Sequence, residues 1–401
     1  MPSGVRGAGY GGLLLVAVLL SGLSMRAYLT GMGPVLDDIR VSLDLSAGVA
    51  GLLIAMPTFY FGIFGLLISR LLYVFSPRRM LVWAMLLVAF GVALRSILGV
   101  FGLFAGLLIA SVGVSILMVI VPAIIKSAFG RRVGLVMSFY TMTFSLGAAL
   151  GAGLAVPLAR LPHSSWQWSL AFWVLPALAG ALAWRCISPR SLKGVEAPVD
   201  AGASVRGLYR DHLAWQVTLY MGLQSCIGQS MVGWMPVILI DRGMLPAQAG
   251  AALSISLLTQ LLTNFAAPWL ATRGRDQRLV ISVMMGMMCA GILGVFYAPI
   301  SHVWAWIFML GLGMGGNFAL AVSLLVLRTR SPQEAAALSS MAQGAGYTVA
   351  STGPALVGIL YEHSHSWHGP AVLFGALCIM GWAVGLGAGR TKFVFERPAA
   401  S

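Results

Sequence analysis

Arg26 lies inside the first long apolar stretch of the chain, with Gly11–Leu23 before it and Ala27–Leu36 after it. A guanidinium at membrane depth costs roughly 2.5–3.5 kcal/mol on insertion scales, so such a charge is kept where it meets a wet interior or a partner. Gly22, Arg26, Thr30, Gly33 and Asp37 recur every three to four residues and would share one face of a helix running through 11–36. Its planar fork suits bidentate contact with a small oxyanion, a nitro group or a carboxylate. The structural alternative is an arginine that snorkels toward Asp37 or binds carbonyls freed near Pro34.

Uncharged polar groups at depth come mostly from the second half of the chain. Gln224, Ser225 and Gln229 lie on one apolar segment, Gln260, Thr263 and Asn264 on the next, Asn317 further on, and Gln343 and Tyr347 four residues apart. Each alone suits an interhelical hydrogen bond. Together they describe a polar lining, and Gln224, Gln260, Asn264, Asn317, Gln343 and Tyr347 are candidate substrate contacts with Arg26 and Thr30. Tyr60 and Tyr140 are aromatic candidates for a flat substrate, with Phe59 and Trp234 as weaker ones. Ser111, Ser115, Ser138, Thr141 and Ser145 fit helix–helix bonding better.

The 401 residues are 59% hydrophobic and 9% charged, with mean hydropathy +0.90. Soluble domains carry about 25% charged residues, so the composition describes an all-α polytopic membrane protein. The formal charge of +14 is scattered through short loops, which speaks against a nucleic-acid partner. Cys186, Cys226, Cys289 and Cys378 have no ligand spacing and are expected as free thiols. Glu362, His363, His365 and His368 match no standard zinc spacing, and no catalytic motif is present. Neither enzyme chemistry nor a metal or cofactor is expected.

Twelve apolar segments of bilayer length are expected, at 11–36, 47–70, 79–98, 100–126, 132–158, 168–187, 213–240, 247–271, 278–298, 302–328, 334–360 and 370–389. The first is read as a retained helix and not a cleaved signal. With the N-terminus inside, 20 of the 25 Lys and Arg fall on the cytoplasmic side, leaving Arg26, Arg40, Arg95, Arg160 and Arg242. Both termini are then cytoplasmic. Ser331-Pro332-Gln333-Glu334 reads as a capping box opening the eleventh segment.

The halves look duplicated. A shift of 200 lays Arg78 on Arg278 and Tyr60 on Gln260, and a shift of 202 lays Lys126 on Arg328. Two pseudo-symmetric six-helix bundles, 1–187 and 213–401, joined by a cytoplasmic linker at 188–212, are what parallel-repeat transporters use, with the site near midplane. Arg26 has only Cys226 or Gly228 opposite it, and this asymmetry favours function over structure. None of the eleven carboxylates sits at midplane, so an internal proton relay is not visible. Moving an anion inward against 100 mV costs about 2.3 kcal/mol per charge, whereas export or exchange does not.

Three stretches resemble the cyanate-transporter/2-nitroimidazole-exporter family of the major facilitator superfamily. They are Met25-Arg26-Ala27-Tyr28-Leu29-Thr30-Gly31-Met32-Gly33-Pro34; Leu223-Gln224-Ser225 with Trp234-Met235-Pro236; and Gly311–Gly316 through Leu327-Arg328-Thr329-Arg330, Ala337–Gln343 and Gly346-Tyr347 to Thr352-Gly353-Pro354. Ala27 stands where that family has proline, and Ser69-Arg70 with Arg78-Arg79 where the wider superfamily tends to have an Asp. The resemblance implies two bundles rocking about a central cavity lined by the first, fourth, seventh and tenth helices. It implies a monomeric multi-pass carrier in the bacterial inner membrane. The expected cargo is a small anionic or nitro- or carboxylate-bearing molecule, with protons as a candidate co-substrate. Efflux of neutral drugs or nitroaromatics is the alternative; a non-transporting sensor fits less well, since the linker and tail are short.

Overall fold

The computed structural model describes residues 8–45, 75–162, 164–188, 207–274 and 276–395, with scattered positions between 49 and 68. Most of the second expected segment, including Ser69-Arg70, and most of the 188–212 linker lie outside the described residues. The described elements are all helical. The chain folds as two compact units, 1–199 and 200–401.

In the first unit α1 is Ala8–Thr30, α2 Leu36–Ser42, α3 Pro77–Ile97, α4 Gly99–Phe129, α5 Val133–Ala159, α6 Trp166–Ala171 and α7 Val174–Cys186. The second unit holds α8 His212–Asp241, α9 Pro246–Arg273, α10 Arg278–Tyr297, α11 Val303–Leu327, α12 Pro332–Ser364 and α13 His368–Ala388. Among the described residues, ten spans are long and apolar enough to cross a membrane. The 33-residue α12 adds an eleventh expected segment, built on Gly, Ser, Thr and Gln in place of a continuous aliphatic run.

Packing repeats from one unit to the other. α1 packs on α5 as α8 packs on α12; α3 packs on α4 and α7 as α10 packs on α11 and α13. Without a hydrophobic drive between helices in lipid, close approach must come from small residues. At the α3/α4 crossing Gly91 and Gly106 face each other's carbonyls, and a Cβ on either would overlap backbone. Gly147 does the same on α5 against the Leu23 carbonyl of α1.

Helix ends explain where most inward-facing arginines go. The last carbonyls of a helix lack intrahelical donors, and a cation there also meets the negative end of the dipole. Arg78 donates to the Trp184 and Arg185 carbonyls ending α7, and Arg242 to the Val295 and Ala298 carbonyls at the end of α10. Arg328 donates to the Ala388 and Gly389 carbonyls after α13 at 2.7 and 2.9 Å, and to the Gln277 side chain. Burial pushes Arg328 down to about 10, opposed by the Asp276 charge, so it stays cationic at neutral pH.

At helix starts the Ser331–Glu334 capping box forms: the Ser331 hydroxyl accepts from Glu334 N at 3.2 Å, and the Glu334 carboxylate accepts from Ser331 N. Asp211 caps α8 by accepting from Leu213 N and Ala214 N at 2.7 and 3.0 Å.

One expected element changes. The helix read through 11–36 stops at Thr30, and a single 3-10 turn at Gly33–Val35 leads into α2. Pro34 has no N–H to give the Thr30 carbonyl, which removes a rung of the α ladder where α1 ends. Gly33 and Asp37 therefore do not continue the face of Gly22, Arg26 and Thr30.

Candidate functional site

In the first unit the candidate residues gather on the α1/α5 seam. Arg26 is half-buried one turn before the end of α1, with its guanidinium carbon 4.8 Å from the Phe144 ring centre on α5. A cation over an aromatic face is worth about 0.5–2 kcal/mol, the more when desolvated. Phe144 is the partner that sequence reasoning missed; it stands one turn after Tyr140, itself an aromatic candidate. The Tyr140 hydroxyl donates to Met25 Sδ at 3.4 Å within the core.

The Thr30 hydroxyl is shared between the Arg26 carbonyl at 3.1 Å and the Ala148 carbonyl at 2.9 Å. Its donor capacity is thereby spent on holding α1 to α5. Gly22 does not open room for a ligand either, since a Cβ there would strike the Tyr140 carbonyl and the Thr143 hydroxyl. The face shared by Gly22, Arg26 and Thr30 is thus the α5-packing face, and Arg26 rides on it. Tyr60 is half-buried and sits with the Phe59 and Phe64 rings, each 6.3 Å away.

In the second unit the amides divide into satisfied and unsatisfied groups. Asn317 is fully buried; it accepts from the Tyr220 hydroxyl of α8 at 2.6 Å and donates to the Gly313 carbonyl at 2.8 Å. That is an α8–α11 lock. Replacing Asn317 with leucine strands the Tyr220 hydroxyl, at about 1–3 kcal/mol. A thermal scan of the purified variant should show a lowered Tm.

Gln224 Nε2 donates locally, to Ser225 Oγ at 2.7 Å and to the Met221 carbonyl at 3.1 Å. Asn264 and Tyr347 are buried. Thr263 ties α9 to α11 through the Leu312 carbonyl at 2.7 Å. Trp234 donates to the Pro354 carbonyl at 3.0 Å.

Gln260 Nε2 on α9 and Gln343 Oε1 on α12 are buried and have no hydrogen-bond partner among the described residues. Leaving such a group unpaired costs about 1–3 kcal/mol. One is a donor suited to an oxyanion, the other an acceptor suited to an N–H.

The family description "Major Facilitator Superfamily" matches residues 14–350 and 237–398. The chain belongs to the Major Facilitator Superfamily. Among curated relatives of this superfamily member, the 2-nitroimidazole transporter of Escherichia coli is 32% identical over 95% of this chain and 96% of its own. The cyanate transport protein CynX of Escherichia coli is 31% identical over 92% and 94%. Among solved structures, the proton:xylose symporter XylE superposes with TM-score 0.77 at 16% identity, covering 96% of this chain and 98% of its own. The fold is the superfamily's twelve-helix all-α membrane fold, and the chain is a multi-pass membrane transporter, not an enzyme.

Proposed function

We propose that this carrier moves a small anionic, nitro- or carboxylate-bearing molecule across the bacterial inner membrane by alternating access, with Arg26 as the polar anchor. The observation that carries this reading is a half-buried guanidinium within a membrane span, held over the Phe144 ring one turn before the break in α1. The Phe144 ring contact orients the side chain, and the planar guanidinium is the donor geometry that suits an oxyanion. The names of the two bacterial relatives, a cyanate and a 2-nitroimidazole transporter, fit a cargo with a compact, negatively polarised end.

Within the second unit, Gln260 Nε2 and Gln343 Oε1 are a buried donor and a buried acceptor without partners among the described residues. The distribution of Lys and Arg supports a cytoplasmic position for both termini. The two six-helix bundles, 1–187 and 213–401, are the moving bodies, and the monomer is the working unit. For a net anion, export or exchange needs no work against an inside-negative potential.

The test is a thermal-shift panel of small anions, nitroimidazoles, aromatic acids and bulky neutral drugs, followed by counterflow in liposomes. Saturable counterflow of an anionic or nitro compound is expected. Counterflow confined to bulky neutral compounds would replace this reading with neutral drug efflux.

A further inference from the structure

A second inward-facing arginine, Arg95, lies near the end of α3 in the first unit. It is 0% exposed. Its Nη1 donates to the Tyr28 carbonyl, which the break of α1 has released: Met32 N turns back to the Leu29 carbonyl in a tighter turn. Its guanidinium carbon lies 5.7 Å from the Tyr28 ring centre, and the Tyr28 hydroxyl meets Ser111 Oγ of α4 at 3.3 Å.

So far this matches Arg78, Arg242 and Arg328, each of which meets carbonyls at a helix end. The difference is what remains. On Arg328 both Nε and Nη2 are bonded. On Arg95 both Nε and Nη2 are buried with no hydrogen-bond partner among the described residues. Neither of the two ion pairs among the described residues, Arg160–Asp38 and Arg278–Asp276, involves it. Taking an ion from water into the interior costs several kcal/mol unless a counter-charge and further hydrogen bonds offset it. Nε–H and Nη2–H are also the two parallel donors of the guanidinium's side-on edge, the geometry that matches two oxygens of one planar group.

We propose that Arg95 Nε and Nη2 form an anion-binding site inside the first unit, enclosed by α1, α3 and α4, that takes a small planar oxyanion such as nitrate, formate or a terminal carboxylate. Nη1 is fixed on the Tyr28 carbonyl, so the open edge is held in one orientation. Tyr28 lies two residues beyond Arg26 on α1, and occupancy of this site is thereby coupled to the helix end that carries Arg26. The site belongs to the first unit alone and does not depend on Arg26 being the transport anchor.

Nitrate titrated against purified protein at constant ionic strength, with chloride as the exchanged salt, tests it. A saturable rise in Tm with nitrate is expected in the wild type and in Arg26→Gln. When Arg95→Met is added to Arg26→Gln, the rise disappears. Arg95→Lys, which keeps the charge but has no second parallel donor, serves if the methionine variant does not fold. Its nitrate Kd is expected at least about tenfold higher. No nitrate response in the wild type, an unchanged Kd in Arg95→Lys, or loss of the response in Arg26→Gln would each overturn the proposal.

Discussion

Arg26→Gln should lower saturable transport of an anionic substrate by at least about a hundredfold, with the protein still inserted and monodisperse. Truncating one partner of a buried charged hydrogen bond costs about 2–5 kcal/mol, and each 1.4 kcal/mol is a factor of ten. The contact with the Phe144 ring 4.8 Å away is lost as well, at about 0.5–2 kcal/mol. Arg26→Lys keeps the charge but not the fork, so it should fall between, roughly tenfold below wild type. Counterflow in proteoliposomes with matched amounts of protein measures both variants. Parallel loss of transport and of folded protein would assign Arg26 to the α1/α5 seam instead.

The second large effect is a reversal of sign between stability and binding at Gln260 and Gln343. Gln260 Nε2 and Gln343 Oε1 are buried polar atoms without partners among the described residues. Removing such an atom relieves a desolvation cost, so Gln260→Leu and Gln343→Leu should keep or raise Tm, by about 1 kcal/mol of stability. If these amides meet substrate, the same changes weaken its binding about tenfold. A structural amide gives the opposite pattern, as at Asn317, where leucine strands the Tyr220 hydroxyl. Paired thermal and binding titrations on the three variants separate the two roles. Lower Tm with unchanged affinity for Gln260→Leu would remove it from the site.

Much of the helical frame was legible in the chain. Apolar runs end at charges, prolines and caps, so segments such as 278–298 and 302–328 fall within a residue or two of Arg278–Tyr297 and Val303–Leu327. The capping box at Ser331 was readable because both partners lie three residues apart. The α1 break had its signals in Gly31, Gly33 and Pro34, but they lie inside a stretch long enough to be read as one span.

Side-chain partnerships were far less legible, since they join residues distant in sequence. Thr30 looks like a ligand on one helix face until Ala148, 118 residues away, takes its hydroxyl. In the sequence Arg95 is one of five basic residues left off the cytoplasmic side, within the 79–98 segment. Only the folded unit places its guanidinium against the carbonyl that the end of α1 releases. Phe144 carried no mark of its own among many core aromatics.

The central claim is that the Arg26 guanidinium reads negative charge on the substrate. It is tested most directly by measuring Kd for a carboxylate and for its carboxamide of the same shape, in wild type and in Arg26→Gln. The cycle isolates the coupling between ligand charge and residue 26. Wild type should prefer the carboxylate by at least about tenfold, and Arg26→Gln should bind the two nearly equally. A preference that survives intact in Arg26→Gln would contradict the account and move the anion-reading group elsewhere in the chain.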